Sequence, residues 1–491
     1  MSTDRPLTLD VTEFGPIARA RVQLRPLTVF VGPSNTGKSW LATLAYALNR
    51  HFGSHPLGWR PWWFDAPALA EDLRSDLATI AARLTTPASA SFESAAEGIE
   101  LTSPVEAAIR LHLERQGEAI GEEVARCFGV EAADRLVSEG SPNRVRILLQ
   151  NPVEGVSAPA LHELTFSGKE WTFLPTVPEG FRIRQNNRYG RWLADLLFSE
   201  QESDGRDTPR IWNAIGVLAH ALLPDLHPAF YLPADRTGLM NAHSTIVRTL
   251  IQSATMTGIH GADPVPPISG VRGDFLEQLV KMVSDRRKRF RRGGDRLGEL
   301  GKHIENGILG GAVKLGALPG VAYPQFTYRP SGWGSDLPLS NTSSMVSELA
   351  PVVLYLRHVV AAGDLLIIDE PESHLHPAMQ VAFTRQIAEI VRAGVRIIVT
   401  THSEWVLEEL GNIVGRSRRP DLGDAESGAG SLAGRYVGMW LFEPAENGGG
   451  STVREIALDT DTGLYPSGFA AVAAALHNDW ADIAGTRGDA E

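Results

Sequence analysis

Apolar and polar positions divide the chain into strand and helix patterns. Leu7–Phe14 and Ile17–Leu24 carry apolar residues at strand spacing around Gly15-Pro16, which predicts a hairpin. Leu27–Val31 (LTVFV) is a short, nearly continuous apolar run, the pattern of a strand buried on both faces of a parallel sheet. A glycine-rich loop follows at once, and Trp40–Leu48 then has helical spacing. From about Arg60 the character changes. Ala68–Leu84, Pro104–Leu113 and Glu118–Phe128 have helical periodicity and are rich in Ala, Glu and Arg, with a polar, serine-rich stretch at Thr86–Glu97. Arg144–Leu149 and His162–Phe166 form a candidate strand pair, and Gln201–Thr208 is a charged linker.

Beyond this region, Phe230–Pro233 predicts a short strand, and Phe275, Leu276, Leu279, Val280 and Val283 predict a helix that runs into the basic segment Arg286–Arg292. Ala312–Leu315 and Gln325–Tyr328 read as strands, Val346–Val360 as a long apolar helix, Leu365–Ile368 and Val395–Thr400 as buried strands, and Ala378–Arg392 as the helix between them. Strands near Val437–Phe442 and Val453–Ala457 and a helix near Ser467–Ala484 close the pattern. Buried strands alternating with helices predict an α/β fold with parallel crossovers. The expected division is residues 1–60 and 228–415 as two parts of one domain, 61–227 as a mostly helical insertion, and 416–491 as a C-terminal extension.

Composition narrows the class. The chain has 491 residues, 43% hydrophobic and 21% charged, with room for about two to four domains. Its 46 basic and 58 acidic side chains leave a net charge of −12. That argues against a surface that coats nucleic acid or an anionic membrane throughout, and leaves a local basic patch open. A single cysteine, Cys127, excludes an intrachain disulfide framework and a cysteine-based zinc site. No signal-like segment opens the sequence, and the apolar stretches Ile211–Leu223 and Val352–Ala362 fall short of the ~20 residues of a membrane span. The expected location is the cytoplasm, without a membrane partner.

Three motifs carry the candidate chemistry. Gly32-Pro33-Ser34-Asn35-Thr36-Gly37-Lys38-Ser39 fits G-x-x-x-x-G-K-[ST] between a strand and a helix that starts near Trp40. Its glycines let successive N–H groups converge on phosphate oxygens, and the helix N-terminus adds its positive end. Lys38 can reach the β- and γ-phosphates, and Ser39 can offer its hydroxyl to Mg²⁺. Leu365–Glu370 is a buried strand ending in two acids. Asp369 is positioned by the pattern to hold Mg²⁺, directly or through water, and Glu370 to act as general base on the attacking water. Ile397–Ser403 ends a third strand in polar groups, with His402 able to contact the γ-phosphate.

Together these motifs resemble the ATPase heads of the ABC class, in the soluble branch of SMC, RecF and overcoming-lysogenization-defect (OLD) proteins. Phe14–Trp40 resembles the first strands of those heads, and Glu370–Pro377 (EPESHLHP) is similar to a stretch of OLD-like ATPases carrying an AAA label, as is Leu232–Gly238. The resemblance covers roughly residues 7–50 and 228–415. It implies a P-loop ABC-type head with a mixed and parallel sheet, using ATP and Mg²⁺, with two heads closing on two nucleotides. A signature loop of one head then caps the γ-phosphate held by the other. The corresponding segment here is Leu339–Glu348, in which Ser343 or Ser344 would supply the hydroxyl; both signature glycines are missing, with Met345 at one of their places. No clear glutamine matches the loop linking Mg²⁺ to the arm, where Arg236 is the nearest polar substitute.

Three further features have more than one reading. His374-Leu375-His376 suits a metal pair or, by the resemblance, a loop at the head–head contact. Arg286, Arg287, Lys288, Arg289, Arg291 and Arg292 suit nucleic-acid phosphates, an acidic partner, or a solvated helix face. Asp459-Thr460-Asp461 nominally matches the acidic pair of a TOPRIM nuclease, but too little chain surrounds it for that unit, so it reads as a turn. The resemblance therefore implies a self-associating ATPase without its own effector, acting on a separately encoded nuclease or toxin in anti-phage defence. The alternative is a RecF- or SMC-like ATPase acting on DNA. A transporter subunit fits less well, because of the insertion and the missing glycines.

Overall fold

Every side chain of Leu27–Val31 is buried, and the main sheet is assembled around this strand. The computed structural model describes residues 6–53, 71–85, 99–131, 133–137, 144–151, 160–167, 170–179, 181–183, 207–220, 222–223, 227–243, 245–246, 268–284, 295–317, 324–418, 431–445, 449–456, 478 and 480. The basic run at 286–292, the acidic pair at 459–461 and nearly all of the expected final helix lie outside these residues.

In chain order the strands are β1 (Leu7–Phe14), β2 (Ile17–Leu24), β3 (Leu27–Val31), β4 (Ile99–Glu100), β5 (Arg144–Asn151), β6 (Ala160–Ser167), β7 (Glu170–Leu174), β8 (Arg182–Ile183), β9 (Ala229–Leu232), β10 (Gly311–Ala317), β11 (Pro324–Pro330), β12 (Leu337–Pro338), β13 (Leu365–Asp369), β14 (Arg396–Thr401), β15 (Val437–Pro444) and β16 (Ser451–Glu455). The helices are α1 (Lys38–Phe52), α2 (Glu71–Thr85), α3 (Ser103–Glu114), α4 (Gly117–Phe128), α5 (Asp207–His220), α6 (Gly270–Ser284), α7 (Asp295–Ile304), α8 (Ser344–His358), α9 (Pro377–Arg392) and α10 (Glu404–Arg418).

The fold is α/β, as expected: a large mixed sheet with flanking helices. Among the described residues eleven strands run in the order β7-β6-β5-β1-β2-β16-β15-β3-β14-β13-β9. The half from β15 to β9 is parallel, and β7, β6, β5, β1 and β2 pair antiparallel. Alternate residues of the central strands feed two cores. Phe30, Leu365 and Ile367 join α1, α3 and α4 on one face, while Val29, Val31, Leu366 and Ile368 join α8, α9 and α10 on the other. This two-sided burial is why the central strands are nearly continuous apolar runs.

The described part of 61–227 contains helices α2–α5 and strands β4–β8, of which β5, β6 and β7 lengthen the main sheet beyond β1. A charged network joins α4 to α1 and α6. Arg126 Nη2 donates to Asp274 Oδ2 at 2.8 Å, Tyr46 Oη donates to the same oxygen at 2.9 Å, and Arg50 Nε donates to Glu123 Oε1 at 3.1 Å. Past residue 415, β15 lies directly beside β3, so the C-terminal extension contributes to the middle of the sheet.

One turn joins the parallel strands to α8. Arg236, which follows β9, is fully buried. Its Nη1 donates to Asp369 O at 2.6 Å and Pro233 O at 3.0 Å, its Nε to Glu348 O at 3.2 Å, and its Nη2 to Glu370 O at 3.1 Å. Nη2 also forms an ion pair with the equally buried Glu348 carboxylate, which Thr237 Oγ1 supports. The guanidinium thereby makes four hydrogen bonds to main-chain carbonyls and one ion pair. Burial lowers the pKa of Arg236 and raises that of Glu348, so each charge persists through the other. Arg236 is thus a structural tie between β13 and α8 rather than a stand-in for the missing glutamine. Glu348→Ala strands a buried cation and is expected to cost about 3–5 kcal/mol, with Glu348→Gln costing less. Urea denaturation reads this, and a loss for Glu348→Ala below about 1 kcal/mol would mean the pair is not buried as described.

Candidate functional site

The parallel register brings three strand ends to one edge. Val31 pairs with Thr401, Phe30 with Thr400, and Thr400 with Asp369. The loop after β3, the acids after β13 and the histidine after β14 therefore share a crevice at the carboxyl ends of the strands.

The loop is cut to fit glycine. A Cβ at Gly32 would lie 2.3 Å from the backbone oxygen of Phe442 in β15, and Gly32 has φ +142°. Gly37, at φ +95°, caps α1, and a Cβ there would meet Ile17 at 2.5 Å. Pro33, Ser34 and Asn35 are exposed, and Thr36 Oγ1 closes the turn by donating to Pro33 O at 2.8 Å. The main-chain N–H groups of Lys38, Ser39 and Trp40 lie in the first turn of α1, where no intrahelical acceptor precedes them. They are the groups an anion at this helix terminus would meet. The Trp40 indole instead packs on Phe14 and Phe128, at ring-centroid distances of 5.6 and 4.9 Å.

Lys38 is 5% exposed, and its Nζ donates to Gly32 O at 3.0 Å and Pro33 O at 2.6 Å. Burial lowers its pKa to about 8, against the pull of Glu370, Asp369 and Glu372. The ammonium is thus partly desolvated and faces the loop where phosphates would lie.

Ser39 Oγ donates to Asp369 Oδ1 at 2.9 Å, although the two residues stand 330 positions apart. Thr400 Oγ1 also donates to Oδ1, and Tyr231 Oη donates to Oδ2 at 3.2 Å. Burial nevertheless raises the Asp369 pKa. A hydroxyl and a carboxylate oxygen placed together and short of counter-charge fit a hard divalent cation that also binds phosphate oxygens.

Glu370 sits next in the chain at φ +49°, a left-handed conformation that residues with a Cβ hold only where neighbours fix it. Its N–H donates to Thr400 O at 3.1 Å and its carbonyl accepts from Arg236, so the peptide groups on both sides of Glu370 are fixed. Glu370 Oε1 lies 3.5 Å from His402 Nε2, and Ser373 Oγ donates to Oε2 at 3.3 Å. The contact with His402 is the main cause of a lowered Glu370 pKa. Glu372, two residues on, accepts from Thr401 Oγ1 at 2.8 Å and from the His402 N–H at 2.6 Å.

The other sequence candidates fall elsewhere. Ser343 caps α8, accepting from Val346 N at 3.4 Å, and Ser344 opens that helix; both are exposed. His376 Nδ1 caps α9 by accepting from Ala378 N at 3.3 Å, and His374 occupies a turn at φ +60°. Among the described residues no group of three or more His, Cys, Asp or Glu side chains could hold a metal. No helix there is long and apolar enough to cross a membrane. Sequence reasoning missed Tyr231, Thr400 and Glu372. The last was legible as the second acid of Glu370-Pro371-Glu372, while the other two needed the strand register.

Comparison with known proteins finds a family match over part of the chain. The family model of the AAA ATPase domain matches residues 299–407, the stretch that holds Ser343, Asp369, Glu370 and His402. Over those residues the chain is similar to AAA ATPase domains. Similar solved structures include an SMC head domain from Thermotoga maritima, at TM-score 0.37 and 13% identity, covering 92% of this chain and 99% of that one. An SMC head bound to the C-terminal winged-helix domain of ScpA gives 0.42 and 11%, covering 92% and 97%. An SMC head with an extended coiled coil, bound to the C-terminal domain of ScpA derived from Pyrococcus furiosus, gives 0.40 and 12%, covering 92% and 96%. No curated protein sequence matches the chain.

The Lys38 environment yields a pH signature. The ammonium is complete well below pH 8 and is lost as pH rises through about 8, so triphosphate affinity is expected to fall above that value. Titration of the ATP dissociation constant between pH 6.5 and 9.5 tests this; a flat profile would mean that Lys38 does not meet the phosphates.

Proposed function

We propose that this chain is an ABC-type ATPase that binds ATP with Mg²⁺ and converts it, with water, to ADP and phosphate. The observation that carries the reading is the Ser39–Asp369 contact, with Glu370 next to it and Lys38 across the loop. The N–H groups from Gly37 to Trp40, with Lys38, hold the β- and γ-phosphates. Ser39 and Asp369 hold Mg²⁺, which when bound neutralises charge building on the phosphate oxygens. Glu370 orients a water and takes its proton as the oxygen bonds to the γ-phosphorus and the bond to the β-phosphate oxygen breaks. His402 holds Glu370 in place and ionised.

The exposed Ser343 and Ser344 at the start of α8 support closure of two copies around ATP, each offering this helix terminus to the other's γ-phosphate. ATP then favours a closed homodimer or larger oligomer, hydrolysis opens it, and the change is passed to a separately encoded effector such as a nuclease or toxin. That role, OLD-like anti-phage defence in the cytoplasm, rests on the EPESHLHP resemblance. The basic run Arg286–Arg292 supports the alternative, a RecF- or SMC-like ATPase whose load is DNA.

Glu370→Gln is expected to lower turnover by about 10²–10⁴-fold, to retain ATP, and to double the mass seen by light scattering with ATP and magnesium. Lys38→Ala is expected to lose ATP binding. Turnover at the parent rate in Glu370→Gln would remove the base assignment. Salt-sensitive duplex binding lost on neutralising Arg286, Arg287 and Arg289 would select the DNA reading.

A further inference from the structure

Glu372 is a half-buried acid that the hydrolysis scheme does not use. It sits in the turn after β13, which also carries Glu370, Ser373 and His374. Its Oε1 accepts two donors from another strand: the Thr401 hydroxyl at 2.8 Å and the His402 main-chain N–H at 2.6 Å. Thr401 is fully buried at the end of β14, where its own hydroxyl also accepts from Ser403 N at 2.9 Å. The carboxylate therefore grips the chain where it leaves the sheet and turns into α10.

His402 can reach Glu370 only if the main chain at 402 is fixed. Its Nε2 stands 3.5 Å from Glu370 Oε1, a contact that a small rotation of the peptide would break. Thr401 is held by its pairing with Val31, but beyond it β14 has ended and ladder bonds no longer constrain the chain. The Glu372 bond takes over at that point. A carboxylate accepting from a main-chain N–H is a strong, charge-assisted tie. One end of the clamp lies on the turn that bears the base and the other on the strand end that leads to His402, so Glu370, Glu372 and His402 move as a unit.

We infer that Glu372 is a positioning residue for ATP hydrolysis: it clamps the Thr401–His402 peptide to the turn after β13 and so sets His402 against Glu370. The inference rests on the hydrolysis reading above and adds a residue to it. It also says why the two acids of Glu370-Pro371-Glu372 divide their work. Glu370 projects its carboxylate to the crevice, and Glu372 turns its own to the adjacent strand end. Pro371 between them, with its fixed φ, keeps the two apart.

The test is a double-mutant cycle on the full chain, with steady-state ATPase kinetics and ATP binding measured in parallel. Glu372→Ala is expected to lower kcat by about 10- to 100-fold, the usual range for removing an outer partner of a catalytic group, while the ATP dissociation constant stays within about two-fold. Glu372→Gln keeps an acceptor oxygen at the same place and is expected to restore most of the turnover. The decisive reading is the coupling. In a His402→Ala background, Glu372→Ala should cost almost nothing further, because both substitutions remove the same contact. A general structural role would add its cost in either background. Thr401→Val removes one of the two donors with little change of volume and runs the same cycle if Glu372→Ala does not fold.

Unchanged kcat in Glu372→Ala, or equal losses with and without His402, overturns the inference. If Glu370→Gln abolishes turnover while these variants do not lower it, this inference alone fails. A parent chain without turnover overturns the hydrolysis reading and this inference together.

Discussion

The guanidinium of Arg236 is the point on which the site depends. It is fully buried, its hydrogen bonds reach the main-chain carbonyls of Pro233 just after β9, of Asp369 and Glu370 at the end of β13, and of Glu348 in α8, and it pairs with the Glu348 carboxylate. A buried cation is tolerable only if every donor is met, so its partners are held to one another as tightly as to the arginine. Two consequences follow. The peptide after Asp369 keeps its left-handed turn because Arg236 holds the Glu370 carbonyl. The helix that begins with Ser343 and Ser344 is tied to the strand bearing Asp369. Any change that moves the acids is thereby conveyed to α8, on whose first residues the proposed closure of two copies depends.

Sheet register does the rest of the assembly. Parallel pairing of β3, β14 and β13 sets Phe30, Thr400 and Asp369 in one row, and the residues one step further form the crevice. No local interaction could bring Ser39 to Asp369 across 330 residues; the contact exists because α1 follows β3 and Asp369 ends β13, two strands of one sheet on either side of β14. On the far side of the P-loop strand, β15 closes the cradle, and the Phe442 carbonyl leaves no room for a side chain at Gly32. The phosphate loop is therefore shaped by a strand some 400 residues away as well as by its own glycines.

These facts explain what the sequence could and could not tell. The loop at 32–39, the acids at 369–370 and His402 were legible because each lies where a strongly apolar strand meets polar residues, and that signal is local. The hairpin of β1 and β2 and the strand β3 were legible for the same reason. The place of β15 was not: its pattern reads as a strand, but nothing in it says that its neighbour is β3. Tyr231 and Thr400 look like ordinary strand residues until the register sets them against Asp369. Arg236 reads in the sequence as the nearest polar substitute for the missing glutamine; its burial and its bonds to the main chain are properties of the fold, not of the motif. The Trp40 ring packs with Phe14 and Phe128, so what this residue can offer a nucleotide is its main-chain N–H.

Two adjacent carboxylates need different environments to do different work, and the fold supplies them. Asp369 is on the strand itself, sealed among Ser39, Thr400 and Tyr231, where burial weighs against its charge and raises its pKa. Such a group gains most when a cation arrives, because the cation offsets a penalty already present in the free chain. Glu370 is one residue further, past the end of the strand and turned outward by its positive φ, where His402 keeps it ionised. It is the one of the two to which the proposed scheme gives the proton from water. In the proposed scheme the division follows from a single step along the backbone: the last residue inside the sheet would hold the cation, and the first residue outside it would take the proton.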